Sequence, residues 1–309
     1  MDMIVNESAV RTFEEARRRA GQGTLKRVGI VAAEDEVALK AAAGALRAHI
    51  AQPVLIGDEA RIRACAEQHG LHDLLAGAPL VAAENPAETA VLMARAGELD
   101  ALLKGHLRTD QLLRPVLDKE KGLRTRRLLS DIAFFEHTQE GQTRLVGITD
   151  GGLNPAPTLE QKKQIAWNAI EAFEKLCVSK PKIAVMSATE FVSDGIVSTT
   201  DAAKLTAMCE AGEFGDAEVF GPLALDNALL AWAAKAKGIH HPVAGHADCL
   251  LVPTIESGNL LGKSITFIAG MQFGHVIVGA RIPILIPSRV ETAQDKVNAI
   301  ALGVLCARC

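Results

Sequence analysis

Apolar runs and amphipathic segments alternate along the first third of the chain. The runs have the composition of buried parallel strands, and the segments between them carry apolar residues at helical spacing. The predicted strands are residues 27–33, 53–57, 79–82 and 100–104, and the predicted helices are residues 7–20, 35–50, 58–69 and 86–98. This alternation predicts a parallel sheet covered by helices on both faces.

The middle of the chain first breaks this rhythm and then restores it. Residues 128–135 and 145–149 predict an antiparallel strand pair, joined through a turn-like segment at 139–142. A long amphipathic helix follows at 159–176. Further strands are predicted at 182–187 and 218–221, with helices starting at Ser198 or Thr199 and near 222–227. The chain therefore contains two series of β–α units with a strand pair between them.

The stretch from Ala247 to Lys296 contains three more apolar runs, at residues 250–253, 276–279 and 282–287. In an open α/β sheet, ligands bind where strands end and helices begin. We expect three such junctions here, two of which carry polar groups suited to an anion.

Composition narrows the range of possible functions. The 309 residues are 49% hydrophobic, which is enough for a substantial core, and the net charge is −4. This charge gives no general attraction to nucleic acid or to an anionic membrane. No apolar run approaches the roughly 20 residues of a membrane helix, the N-terminus lacks a signal-peptide pattern, and the six cysteines are scattered. We expect a cytoplasmic protein that binds neither nucleic acid nor membrane.

Several familiar catalytic patterns are absent from the sequence. It contains no GxGxxG after the first strand, no GxxxxGK[ST], no GxSxG and no HExxH. His240, His241 and His246 lie near Asp248, but adjacent residues do not share a face and no third ligand is evident. We interpret them as histidines of a surface loop and predict no metal site.

Cations and a glycine gather at the end of the fourth predicted strand. Lys104 and Gly105 come directly after its apolar residues, and Thr109 or Asp110 is a candidate cap for the next helix. Arg114 follows on that helix. A helix N-terminus beside cations favours anion binding, while a solvated loop and helix face is the alternative.

Two further anion sites are predicted in the C-terminal stretch, at Ser257-Gly258-Asn259 and at Ser288-Arg289. Arginine suits bidentate recognition of phosphate. Asp295 lies seven residues after Ser288, two turns further on if both are helical, and so on the same face. A carboxylate beside bound phosphate can act as a general base toward a second substrate. The alternative is an ordinary salt bridge with Lys296.

Four segments resemble the phosphate acetyltransferase and phosphate butyryltransferase family. They are KGHLRTDQLLRP, GPLALDNALL, VAGHADCLLVPTIESGNLLGKSITFIAG and VGARIPILIPSR. The similarity runs from about Arg27 to the C-terminus and is densest over residues 100–114 and 221–295. The motifs occur in the order that this family has.

The resemblance implies an acyltransferase that interconverts acyl-CoA plus phosphate with acyl phosphate plus coenzyme A. Coenzyme A is then a substrate, and no cofactor is permanently bound. The implied fold is two-domain α/β/α, similar to isocitrate and isopropylmalate dehydrogenases, and usually homodimeric. Residues 1–127 plus 279–309 are expected to form the first α/β domain and residues 128–278 the second, with the active-site cleft between them.

The resemblance also implies roles for particular residues. Ser288 and Arg289 match the family's Ser-Arg pair, and Arg114 matches an arginine that holds phosphate. Asp295 matches the acetyltransferase aspartate near the thiol, and Glu291 matches an acidic residue of butyryltransferase-like members, so either is a candidate base.

Two departures from the family pattern leave other functions open. His246 replaces an aspartate, and residues 271–275 (MQFGH) replace a smaller, alanine-rich segment. One alternative is a catalytically altered protein that binds coenzyme A and phosphate. Another is a decarboxylating dehydrogenase, for which we find no metal-binding aspartate cluster.

Overall fold

The computed structural model describes residues 8–307. These residues form two compact units. The middle unit contains residues 8–12 and Ser130–Met271, and the terminal unit contains Phe13–Leu129 and residues 272–307. The mixed α/β class predicted from the sequence is confirmed.

The strands and helices are numbered in chain order. The strands are β1 (Arg27–Val31), β2 (Gln52–Gly57), β3 (Leu80–Ala82), β4 (Ala101–Lys104), β5 (Ser130–Gln139), β6 (Gln142–Thr149), β7 (Lys182–Met186), β8 (Glu218–Leu223), β9 (Cys249–Leu251), β10 (Phe273–Val278) and β11 (Ile284–Leu285). The helices are α1 (Phe13–Ala20), α2 (Glu36–Arg47), α3 (Glu59–Gln68), α4 (His72–Gly77), α5 (Pro86–Arg95), α6 (Thr109–Val116), α7 (Leu159–Lys175), α8 (Val197–Glu210), α9 (Leu225–Leu229), α10 (Ala231–Ala236), α11 (Ile255–Lys263) and α12 (Ala293–Cys306).

Most of the predicted elements are confirmed with small shifts at their ends. The first helix is shorter than predicted, because it begins at Phe13; residue 7, where the prediction began, lies outside the described residues. Helix α4 was not predicted, since its six residues are too few to show a helical period. Pro86 occupies the start of α5, as predicted, where its missing N–H costs nothing.

In the terminal unit the strands lie in the order β3-β2-β1-β4-β11-β10. Strands β1, β2, β3, β4 and β11 pair in parallel. The chain proceeds from β1 toward β2 on one side and reaches β4 on the other, so the switch point of this unit lies between β1 and β4. Ligands bind at the carboxyl edge of such a switch point.

Strand β10 corrects one prediction about this edge. It runs antiparallel to β11, so its carboxyl end at Val278 faces the opposite edge of the sheet. The junction expected after residues 276–279 therefore does not lie at the carboxyl edge of the parallel strands. The other two junctions, after β9 and β11, follow strands that pair in parallel with a neighbour.

Helix α12 forms much of the core of the terminal unit. It packs against α1, α2 and β10, and every residue from Asp295 to Val304 is buried. A helix that is apolar around most of its circumference is stable only when it is enclosed in this way.

In the middle unit the strand order is β5-β6-β9-β7-β8. Strands β5 and β6 form the predicted antiparallel hairpin, with Gln139 opposite Gln142. The two loop residues, Glu140 and Gly141, have φ values of 51° and 75°, as a type I′ turn requires. The other neighbours pair in parallel. In the described part of the chain, no helix is long and apolar enough to cross a membrane.

Candidate active site

The candidate site begins at the carboxyl ends of β1 and β4, where two backbone segments pack closely. The N–H of Gly105 donates to the carbonyl of Val31 at 2.8 Å, and the N–H of His106 donates to the carbonyl of Ala32 at 2.7 Å. Ala32 has a φ of 54°, a conformation that few non-glycine residues adopt. A Cβ at residue 105 would lie 2.2 Å from the Ala32 oxygen. Glycine at position 105 is therefore a steric requirement of the switch point.

Lys104, at the end of β4, is a buried cation. Its Nζ donates to the carbonyl oxygen of Leu107 at 3.3 Å. Burial lowers the pKa of Lys104, and the charges of Lys296 and Arg289 lower it further, against a smaller opposite effect of Asp35 and Glu291. Four charged side chains therefore lie close enough to Lys104 to influence its charge.

Lys296 and Arg289 differ in their partners. Lys296 of α12 lies 3.4 Å from Asp35, the N-cap residue of α2. Arg289 is exposed and forms no ion pair with any residue in the described part of the chain. Its guanidinium is consequently available to an anion that approaches Lys104.

The segment from Ser288 to Glu291 is a compact turn. The N–H of Ser288 donates to Glu291 Oε1 at 3.0 Å, and the N–H of Glu291 donates to the Ser288 carbonyl at 3.2 Å. His275 Nε2 also lies 3.4 Å from Glu291 Oε1. Glu291 Oε2 is buried and has no hydrogen-bond partner among residues 8–307. A desolvated oxygen without a donor is costly, so this atom is a candidate for chemistry.

Asp295 has a different environment from the one predicted. Its Oδ2 accepts from the N–H and the hydroxyl of Thr292 at 3.0 and 2.6 Å, and its Oδ1 accepts from the N–H of Phe273 at 3.0 Å. The helix starts only at Ala293, after the Thr292 cap. The prediction that Ser288 and Asp295 lie two turns apart on one helix is therefore wrong, because Ser288 belongs to the preceding turn.

Helix α6 carries Thr109 and Arg114. Thr109 is its first helical residue and Arg108 is its N-cap, with the backbone N–H of Arg108 donating to Gln111 Oε1 at 2.8 Å. The prediction of Thr109 or Asp110 as the cap is therefore wrong by one or two positions. Arg114 is exposed and lines a cavity of about 890 Å³.

This cavity starts at the switch point and follows α6. Its lining includes Ala32 and His106, three cations (Arg108, Arg114 and Lys121) and four carboxylates (Glu84, Glu88, Asp110 and Asp118). Arg108 lies 2.9 Å from Asp110, so Arg114 is the cation of α6 that remains for an anion. Its size lies within the range of small-molecule sites. Arg114 and Lys104 thus belong to the same unit and flank the segment that contains His106.

The predicted site at Ser257-Gly258-Asn259 lies in the middle unit, inside the first turns of α11. The hydroxyl of Ser257 donates to the Thr254 carbonyl at 2.7 Å, so it supports the helix start. Gly258 packs against Gly151, whose Cα would be 2.7 Å from a Cβ at residue 258. Asn259 is exposed.

Sequence reasoning missed three participants, His275, Asp35 and Lys296. His275 lies within the MQFGH segment that departs from the family pattern, but only the fold brings it to Glu291. No combination of three or more His, Cys, Asp and Glu side chains that could hold a metal ion occurs within residues 8–307.

The chain is similar to one family of known proteins in both sequence and structure. The profile of a family described as phosphate acetyl/butaryl transferase matches residues 78–304. This region contains β4, α6, the turn at Ser288 and most of α12, and thus every candidate site residue except Ala32 and Asp35.

Two relatives and one solved structure illustrate the similarity. The chain is 35% identical to a phosphate butyryltransferase of Clostridium beijerinckii over 300 residues, which is 96% of this chain and 98% of that protein. It is 37% identical to a phosphate acetyltransferase of Rhizobium meliloti over 276 residues, 88% of this chain and 86% of that protein. A branched-chain phosphotransacylase from Enterococcus faecalis V583 has a similar structure, with a TM-score of 0.80 and 30% identity, covering 91% of this chain and 99% of that one.

Proposed function

The chain belongs to the phosphate acetyl/butyryl transferase family, and we propose on that premise that it interconverts acyl-CoA plus phosphate with acyl phosphate plus coenzyme A. It is an acyltransferase for which coenzyme A is a substrate. The single observation that carries the proposed site is the exposed Arg289, which has no ion-pair partner among residues 8–307, beside the buried Lys104 at the switch point of the terminal unit.

We propose that the phosphate group of the acyl phosphate binds to Arg289 and Lys104. Arg289 supplies a planar fork of donors for two phosphate oxygens, and Lys104 supplies a charge in a low-dielectric setting where it acts strongly. Both cations neutralise the charge that develops as phosphate departs. Gly105 holds the backbone after Lys104 against Ala32, because a Cβ at residue 105 would lie 2.2 Å from the Ala32 oxygen.

Further cations and helix ends serve the same two substrates. Arg114, which lines the cavity along α6, binds a phosphate group of the acyl phosphate or of coenzyme A. Thr109, the first residue of α6, contributes its backbone N–H at the helix end that attracts anions. Ser257, Gly258 and Asn259 lie in the first turns of α11, after β9. The Gly258 N–H already donates to the Thr254 carbonyl at 3.2 Å, so we assign these three residues no contact with the substrates.

The thiol of coenzyme A must lose a proton before it attacks the carbonyl carbon. We assign this step to Glu291, whose Oε2 has no hydrogen bond within the described residues, whereas both oxygens of Asp295 already accept hydrogen bonds. The S–H bond breaks, the proton moves to Glu291 Oε2, the S–C bond forms and the C–O bond to phosphate breaks. The proton then passes to the departing phosphate. Ser288 donates a hydrogen bond to the carbonyl oxygen, and no covalent enzyme intermediate is required, because holding both substrates in line supplies much of the rate acceleration.

We also propose a cytoplasmic homodimer. Leu260 of α11 and Phe267 and Ile268 of the π-helical turn that follows (Ser264–Ile268) are 68%, 58% and 85% exposed. Contiguous exposed apolar side chains often mark an interface. Light scattering after gel filtration is expected to give a dimer, and the Ile268→Glu variant a monomer. Trp232→Glu, which changes a 68% exposed residue of α10, is the matched control that stays dimeric.

The test of the proposed activity is a thioester assay with acetyl, butyryl, isobutyryl and hexanoyl groups, run with phosphate and a thiol reagent. Arg289→Ala is expected to lower kcat/KM by about 10²–10³-fold, as for loss of a charge-stabilising group. Arg63→Ala, which removes a surface arginine paired with Glu59 on α3, is the control without effect. Unchanged turnover of Arg289→Ala rejects the assigned site. Calorimetric binding of coenzyme A without turnover in the wild type favours the catalytically altered binding protein instead.

A further inference from the structure

The two oxygens of the Glu291 carboxylate lie in unlike surroundings. Oε1 accepts the Ser288 N–H at 3.0 Å and lies 3.4 Å from His275 Nε2. Oε2 is buried and has no partner within the described part of the chain. We propose that His275 is a positioning residue which acts through Glu291: it holds Oε1 so that Oε2 stays directed at the reacting thiol. This inference rests on the proposed function.

The position of His275 is itself fixed by the strand on which it stands. His275 and Phe273 are two residues apart on β10 and so lie on the same face of the strand. Their rings meet edge to face, with centroids 5.2 Å apart and planes at 63°. The backbone N–H of Phe273 is held in turn by Asp295 Oδ1 at 3.0 Å. A continuous series of contacts therefore leads from the α12 cap to the imidazole.

Holding one carboxylate oxygen matters because the terminal torsion of glutamate is broad and roughly two-fold. A single backbone donor leaves the carboxylate free to turn about its contact with Ser288. A second donor on the same oxygen restricts that rotation and keeps the lone pairs of Oε2 in one direction. The 3.4 Å separation is longer than a good hydrogen bond, and catalytic contacts of this kind often shorten when substrate binds.

In this arrangement His275 takes no proton from the thiol. The thiol proton moves to Glu291 Oε2 and then to the leaving phosphate oxygen, so the enzyme returns to its starting state. His275 keeps its N–H toward Oε1 throughout, and its removal slows the proton transfer without removing a phosphate contact. The effect is therefore expected in kcat, with KM for both substrates nearly unchanged.

Two substitutions separate positioning from packing. His275→Leu keeps a similar volume but removes the donor, whereas His275→Gln places an amide N–H where Nε2 stood. We expect His275→Leu to lower kcat about 10-fold, with both KM values within about 2-fold, and His275→Gln to restore kcat to within about 3-fold of the wild type. Thermal unfolding of each variant checks that the fold is retained.

The decisive experiment repeats His275→Leu in a Glu291→Gln background. Residues that act through one another are not additive, so His275→Leu is expected to cause no further loss there. An equal loss in both backgrounds, an unchanged kcat of His275→Leu, or a His275→Gln variant as slow as His275→Leu overturns the inference.

A second readout works whether or not the protein turns over. The imidazole ¹⁵N resonances of His275 in the wild type are expected to shift on Glu291→Gln and to stay in place on Arg63→Ala. Absence of that shift overturns the contact. A wild-type protein without turnover contradicts the proposed function alone, since the resonance shift still reports on the pair.

Discussion

Gly105 and Ala32 pack backbone against backbone at the switch point of the terminal unit, and a Cβ on Gly105 would lie 2.2 Å from the Ala32 carbonyl oxygen. A side-chain rotation cannot relieve such a clash, because the opposing atom is a backbone oxygen. This contact fixes the backbone from Lys104 to His106. It therefore also fixes the position of Lys104 at the end of β4. A structural contact and a proposed phosphate site therefore share one glycine.

We predict that Gly105→Ala both destabilises the protein and weakens substrate binding. Overpacking of this kind costs about 1–3 kcal/mol, and the displaced backbone moves Lys104. Urea unfolding gives the stability, and the KM for acyl phosphate gives the binding effect. Gly23→Ala is the matched control, because no atom of residues 8–307 lies within 4 Å of a Cβ at that position. A Gly105→Ala variant as stable and active as Gly23→Ala contradicts the prediction.

Lys104→Met is expected to stabilise the protein and to impair it as an enzyme. Burial lowers the pKa of Lys104, with Lys296 and Arg289 adding to the effect, so the folded state binds this proton less tightly than the unfolded chain. The cost to stability is full below the lowered pKa and vanishes as pH rises to the unfolded value of about 10.4. The gain in Tm from Lys104→Met should therefore be present at pH 7, shrink as pH rises through the lowered pKa of Lys104, and be lost by about pH 10.4.

The same substitution tests the phosphate contact. Loss of one charge-assisted hydrogen bond is worth about 1.5–3 kcal/mol, so KM for phosphate is expected to rise at least about 10-fold. In the wild type, phosphate affinity should also fall at a lower pH than for an ordinary lysine, since the pKa of Lys104 is lowered. A variant that is less stable at pH 7 than the wild type contradicts this account.

A buried ion pair in the middle unit gives a prediction independent of the site. Lys162 Nζ of α7 lies 2.7 Å from Asp201 Oδ2 of α8, with side chains only 5% and 13% exposed. Asp201→Ala leaves the buried lysine uncompensated and is expected to cost about 3–5 kcal/mol. The double variant Lys162→Met/Asp201→Leu removes both charges and is expected to recover most of that loss in urea unfolding. Equal stability of the single and double variants contradicts the argument.

The sequence predicted strands better than it predicted their ends. The apolar runs of β1, β2 and β4 identify buried parallel strands without ambiguity of type. Strand β1 was expected to reach residue 33 but stops at Val31, because Ala32 takes a left-handed conformation for which alanine gives no signal. The direction of β10 could not be predicted either, since an apolar run does not show whether a strand runs parallel or antiparallel to its neighbour.

The candidate site also contains residues that the sequence predicted and contacts that it could not predict. Lys104 and Arg289 were predicted because polar residues that follow parallel strands meet at one edge of the sheet. The partnership of Lys296 with Asp35 joins residues 261 positions apart, and only the packing of α12 on α2 brings them together. The helix start at Ala293 did have a signal, since threonine three residues before an acidic residue resembles a capping box, and it argued against a helix that includes Ser288.

The final prediction separates the two candidate carboxylates. Glu291→Gln removes the acceptor at the buried Oε2 and is expected to lower kcat by about 10²–10⁴-fold, as for loss of a general base, with little change in Tm. Asp295→Asn replaces an oxygen that accepts from Thr292 with an amide group that donates. This change disrupts the α12 cap and is expected to cost about 1–2 kcal/mol of folding stability, with a smaller loss of kcat.

The two variants are therefore expected to have opposite effects. Glu291→Gln slows the reaction in a stable protein, whereas Asp295→Asn weakens the fold of a protein that still reacts. Steady-state kinetics and thermal unfolding on the same preparations give both quantities. The opposite result, an active Glu291→Gln and an inactive but stable Asp295→Asn, transfers the role of base to Asp295 and leaves Glu291 as the residue that closes the Ser288 turn.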